Sequence, residues 1–168
     1  MNNDQTNSDE LWDEDEDTMK DQFLTFHVGD EIFGFGIEYV TEIVGMQAIT
    51  NVPDMQSYVK GVINLRGSVI PVVDIRIRFG MSERAYDERT CIVVAELGEL
   101  TVGLIVDIVN EVTNIPESLI SEPPKVYGGA GAQYIMGMGK MEENVIILLD
   151  ITKLLSGEDQ ENMHTLES

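Results

Sequence analysis

Tyr58-Val59-Lys60-Gly61-Val62-Ile63-Asn64-Leu65-Arg66-Gly67-Ser68-Val69-Ile70-Pro71-Val72-Val73-Asp74-Ile75-Arg76 returns 76 residues later as Tyr134-Ile135-Met136-Gly137-Met138-Gly139-Lys140-Met141-Glu142-Glu143-Asn144-Val145-Ile146-Ile147-Leu148-Leu149-Asp150-Ile151-Thr152. Tyr58 meets Tyr134, Gly61 meets Gly137, Val69-Ile70 meets Val145-Ile146 and Asp74-Ile75 meets Asp150-Ile151. Fixed-period self-similarity of this kind marks a duplicated structural unit. In each copy an apolar strand (Ser68–Val73, Asn144–Leu149) runs into an aspartate and then a short helical stretch, Ile75–Phe79 or Ile151–Leu155. An aspartate there can accept the free N–H groups of a first helical turn, so Asp74 and Asp150 read as N-caps.

Upstream, the repeat continues with a shift of 69. Phe26–Val44 lies over Ala95–Thr113, matching Gly29 with Gly98, Asp30 with Glu99, Gly34 with Gly103, Val40 with Val109 and Glu42 with Glu111. Leu24, Phe26 and Val28 alternate with Thr25 and His27, the period of a half-buried strand, and Gly29-Asp30 turns it into a hairpin. Ile37, Val40 and Ile43-Val44 fall at helical spacing but are β-branched, which leaves open a helix or a short turn leading into a strand. The extra seven residues of the second shift fit a longer loop at Gly128–Ala132. Two such halves, about 22–89 and 90–156 with strands open to exchange, predict an all-β fold with short helices and two related small barrels. Barrel closure removes the exposed edges that small sheets otherwise carry.

Charge frames what the barrels can bind. The 168 residues carry a net charge of −21. Residues 1–21 hold nine acids against Lys20, and residues 157–168 hold four acids with no Lys or Arg, so both read as solvated acidic tails, the first disordered. Such a field repels nucleic acid and anionic membrane. No apolar run reaches a membrane-spanning length, the N-terminus is polar and acidic, and a single cysteine, Cys91, suits a reducing compartment. A cytoplasmic chain is the expectation.

A catalytic constellation is missing from the pattern. His27 sits mid-strand and His164 in the acidic tail, neither with a partner spacing for base catalysis or metal binding. Cys91 opens an apolar strand and reads as packing. Gly137-Met138-Gly139-Lys140 lacks the spacing and the Ser or Thr of a phosphate loop. The chain reads as neither an enzyme nor a carrier of metal or cofactor. The informative difference lies between the copies: the turn Asn64-Leu65-Arg66-Gly67 answers to Lys140-Met141-Glu142-Glu143, with the charge reversed at the third place. A turn does not require arginine, and an arginine among apolar neighbours is a common interface anchor, so Arg66 is a candidate binding residue. Six of the ten basic side chains lie within residues 60–89, and Arg76 and Arg78 read as solvating a helix face.

Lys60–Arg76, together with Phe23–Gly45 and Tyr134–Leu155, resembles the CheW family of bacterial chemotaxis coupling proteins over about residues 22–156. The resemblance implies two five-stranded SH3-like β-barrels. It implies an adaptor that joins the histidine kinase CheA, gripped through its regulatory domain, to the cytoplasmic tips of methyl-accepting receptors, with recruitment to membrane receptor arrays. The family's receptor contacts fall on Val40, Glu42, Ile43 and Arg66, with Val112 from the second barrel, and its kinase contact lies at the end of the second barrel without a residue match. A receiver-domain fusion or the kinase itself is not expected, since residues 157–168 are too few for a receiver. The alternative from another class is a small-ligand or oligonucleotide-binding β-barrel, against which stand the acidic charge and the lack of an aromatic stacking run.

Overall fold

The structure, a computed structural model, describes residues 20–123 and 132–154. Of the expected acidic tails, 1–21 and 157–168, all but Lys20 and Asp21 lie outside the described residues, as does most of the Gly128–Ala132 loop, and the Asp21 carbonyl accepts from Ile115 N–H at 2.8 Å. Eleven strands and a few short helical turns make up the described residues: β1 Gln22–Val28, β2 Glu31–Gly36, β3 Val40–Gly45, β4 Val59–Leu65, β5 Ser68–Asp74, β6 Cys91–Leu97, β7 Leu100–Val106, β8 Ile108–Asn114, β9 Ile120–Ser121, β10 Ile135–Met141 and β11 Asn144–Leu149. The α-helix α1 is Ile75–Arg78, and Ile37–Tyr39, Glu117–Leu119, Ala132–Tyr134 and Ile151–Lys153 are 3-10 turns. The all-β expectation with short helices is met. The ambiguity at Ile37–Val44 resolves as a 3-10 turn followed by β3, where the β-branched residues extend.

The strands form two sheets, ordered β8-β1-β2-β11-β10-β9 and β3-β6-β7-β5-β4. Neither is built from one half of the chain. The hairpin β1–β2 joins strands of the second half through the parallel pair β2·β11, and β6–β7 joins the first half through the parallel pair β5·β7. The two sheets match element for element under the repeat: β8, β1, β2, β11 and β10 answer to β3, β6, β7, β5 and β4. The duplication therefore survives as a reciprocal exchange of hairpins.

Each barrel closes at a glycine. Thr50 pairs with Val62 of β4 through two backbone bonds of 2.8 and 2.9 Å, and Ile120-Ser121 pairs with β10 at the corresponding place. A bulge precedes Gly61 in β4 and Gly137 in β10. A Cβ on Gly61 would lie 2.1 Å from the Thr50 carbonyl oxygen, and its φ of +144° suits only glycine. A Cβ on Gly137 would meet Ile120 Cγ2 at 2.7 Å. The matched glycines let the closing strand approach.

The strands bury both faces, which corrects the half-buried reading of β1. Phe23 joins Ile115, Ile146 and Leu148 inside one barrel, and Ile63, Ile70, Val72, Ile92, Val94 and Ile105 fill the other. The intervening residues, including Leu24, Phe26, Val28, Val73, Val93 and Leu104, enter one large cluster drawn from both sheets. Alternate side chains thus serve a barrel interior and the seam between barrels, and Phe26, Phe35, Val73 and Leu148 are all fully buried. A fully buried side chain of this size contributes about 1.5–3 kcal/mol, so the seam locks the barrels together.

Asp74 and Asp150 cap as expected: Asp74 Oδ1 accepts from Arg76 N–H at 2.9 Å and Asp150 Oδ1 from Thr152 N–H at 3.1 Å. The helix arginines, by contrast, are not a solvated face. The Arg78 guanidinium lies 4.3 Å from the Tyr58 ring centre and 4.7 Å from that of Tyr134, the repeat-related tyrosines, and its Nε donates to the Leu154 carbonyl at 2.6 Å. Arg76 donates through Nε and Nη2 to Asp107 at 3.0 and 2.7 Å, and Asp107 also accepts from Gly29 N–H and Arg84. Burial opposes ionisation of Asp107, but these donors and charges outweigh it and hold its carboxyl below the usual range. With the folded pKa below the unfolded one, the stabilisation is present above about pH 4 and is lost as pH falls through the folded value. Asp107→Asn is expected to lower stability by about 2 kcal/mol at pH 7 and to flatten the acid limb of a stability–pH curve measured by urea melts. An unchanged acid limb contradicts this assignment.

Candidate functional site

The β4–β5 hairpin turns on two residues, Arg66 and Gly67, with φ of 51° and 90°. Positive φ at both places is the type I′ arrangement that matches strand twist. Asn64 Oδ1 fixes the turn by accepting from Gly67 N–H at 2.8 Å. Glu142 holds the same φ, 51°, at the matching place of the β10–β11 hairpin. The left-handed conformation is uncommon for a residue with a side chain, so the turn pays for Arg66 where glycine or asparagine would be easier. The frame is common to both barrels, and the arginine is particular to one.

From that turn Arg66 Nη2 donates to Glu42 Oε2 on β3. The pair is exposed, with 67% of the Arg66 side chain open to water, so it orients the guanidinium without fastening the fold. Beneath it lies a concave surface of about 400 Å³, bordered by Thr41, Leu65, Val69, Glu96 and Thr101. Glu96 and Thr101 come from β6 and β7, and only the hairpin exchange brings them to Arg66. No sequence signal within the first half points to them.

Ile43 follows Glu42 on β3, an edge strand of its sheet, and is 42% exposed. Val112, on the edge strand β8 of the other sheet, is 47% exposed. The two are the same position of the repeat, 69 residues apart. Val40, at the start of β3, is half-buried and packs against the seam cluster. The structure thus brings Glu42 and Arg66 into contact, sets Ile43 beside them on β3, ties Val40 to the core margin and places Val112 at the equivalent point of the second barrel. The charged pair, the concave surface and the exposed aliphatics suit binding of a protein surface. Among the described residues no cluster of three His, Cys, Asp or Glu is arranged to hold a metal, and no helix is long and apolar enough to cross a membrane.

The CheW-like domain family model matches residues 22–159, spanning both barrels. This chain belongs to that family. It is 36% identical over 143 residues to the chemotaxis protein CheW of Klebsiella aerogenes, covering 85% of this chain and 86% of that one. It is 31% identical over 149 residues to the chemotaxis protein CheW of Treponema pallidum, covering 86% and 88%. Among solved structures it is similar to the scaffolding protein TtCheW from Thermoanaerobacter tengcongensis, with a TM-score of 0.75, 33% identity, and coverage of 82% of this chain and 89% of that chain. Membership in the CheW-like family assigns the chain to chemotaxis scaffolds and adaptors, and the two sheets correspond to the SH3-like barrels of that fold.

Proposed function

We propose that the chain is a coupling adaptor that binds the histidine kinase CheA, through the kinase's regulatory domain, and the cytoplasmic tips of methyl-accepting receptors at the same time. It acts in the cytoplasm, at receptor arrays, and performs no chemistry of its own. The observation that carries this reading is Arg66, held in a left-handed turn and aimed by Glu42 over a concave surface, with exposed Ile43 next along the same edge strand. Arginine beside aliphatic side chains can supply both the charge-directed bonds and the apolar area of a protein interface. Val40, Glu42, Ile43 and Arg66 are proposed as receptor contacts, with Val112 extending the surface to the second barrel.

Added to purified kinase and receptor, the chain should raise kinase autophosphorylation, read as labelled phosphate on the kinase over time. ATP turnover by the chain alone, proportional to its concentration, contradicts the reading.

A further inference from the structure

The two copies of the repeat are finished differently at one place. In the first, Asp74, Asp107 and Lys60 each take a partner from residues 83–86. Tyr86 donates its hydroxyl to Asp74 at 2.7 Å, Arg84 donates to Asp107 at 3.2 Å and Lys60 pairs with Glu83. Burial and the bond to Asp74 raise the Tyr86 pKa far above the ordinary phenol range, so the hydroxyl stays a donor.

The same positions in the second copy, by the shifts of 76 and 69, are Asp150, Glu38 and Met136. Here a depression of about 160 Å³ lies between Glu38, Tyr39, Met136 and Asp150, with Phe23 and Ile151 also lining it. It shares Lys20, Phe23 and Met136 with a groove of about 770 Å³ that reaches Glu117 and Ile120. Met136 is 54% exposed. Thr152 stands where the first copy has Arg76, which leaves Glu38 without an ion-pair partner among the described residues. Among the described residues Asp150 has the exposed Lys153 as its ion-pair partner, at 3.9 Å from Oδ2, while its Oδ1 accepts from the Thr152 N–H and hydroxyl at 3.1 and 2.5 Å.

We infer that this groove docks a segment of a partner protein that presents an arginine and a tyrosine, laid down as Arg84 and Tyr86 are on the first copy. The arginine answers Glu38, the tyrosine hydroxyl answers Asp150, and the aromatic body and the arginine stem cover Met136 and Phe23. The chain's own tails lack this chemistry, because residues 1–19 and 155–168 contain no lysine or arginine. Residues 124–131 include Lys125 and Tyr127, but their first-copy counterpart, about residues 51–57, leaves Asp74 and Asp107 to Tyr86 and Arg84. The strands that line the groove belong to the sheet opposite to the one that carries Arg66.

The test uses the full chain with ¹³C-labelled methionine methyls and, as probe, the free peptide Met81–Thr90. The Met136 methyl should shift saturably, with half-saturation at or below about 1 mM. Binding should weaken at least about tenfold, the loss of one charge-assisted bond, for a peptide carrying Arg84→Ala and Tyr86→Phe, and likewise for the Glu38→Gln protein, whose substitution is at an exposed position. No saturable shift, or equal affinity for the altered peptide and protein, overturns the proposal. So does a Met136 shift in the absence of peptide when the tails are removed or when Lys125 and Tyr127 are replaced, since the groove would then be filled by the chain itself.

Discussion

Arg66→Glu is expected to weaken binding of a receptor cytoplasmic fragment by roughly tenfold to a thousandfold, the range for truncating or reversing an interface arginine. The fold should hardly notice. Glu142 already occupies the same φ of 51° in the other barrel, so the turn accepts glutamate. The pair lost with Glu42 is an exposed one and secures little. The melting temperature should stay within about 2 °C of the parent. Arg66→Asn sharpens the comparison, because Asn-Gly is the favoured type I′ pair and should hold or raise the melt while binding still falls. Receptor titration and thermal melting on the same preparations check this. A collapsed melt with normal receptor binding by the remaining folded protein makes Arg66 structural.

Gly61→Ala is expected to be among the most damaging single-methyl changes to stability. A Cβ would lie 2.1 Å from a backbone oxygen of the closing strand, in a backbone conformation that β-carbons avoid. Strain and overpacking together should cost about 3 kcal/mol and lower the melting temperature by about 6–12 °C. Gly137→Ala should cost less, since its tightest neighbour is a side-chain methyl of Ile120 at 2.7 Å rather than a carbonyl. Gly45→Ala, with nothing within 4 Å, should be near neutral. Differential scanning calorimetry on the three ranks them. Equal effects at Gly61 and Gly45 remove the barrel-closure role of Gly61.

The repeat was legible because it consists of local matters: hairpin turns, N-cap aspartates and alternating strands. Gly61 and Gly137 could be matched in sequence, but what they approach could not be, since Thr50 and Ser121 carry no signal of pairing. The exchange of hairpins was equally silent. It depends on the parallel pairs β2·β11 and β5·β7, which join residues far apart in the chain and leave no local mark. That is why the concave surface could be read at Glu42 and Arg66 but not at Glu96 and Thr101. The same long-range packing overturned the half-buried reading of β1, because Phe23 and Leu24 face different cores. It also gave Arg76 and Arg78 fixed partners, Asp107 and the two tyrosines, where helical spacing alone suggested a solvated face.

The account turns on two partners being held at once. Immobilised kinase regulatory domain, incubated with a receptor cytoplasmic fragment, should retain the fragment only when the chain is present, and should lose it when the chain carries Arg66→Glu. If the chain binds the kinase domain and the receptor fragment separately but the two compete for it, so that the fragment is never retained, the coupling role is wrong.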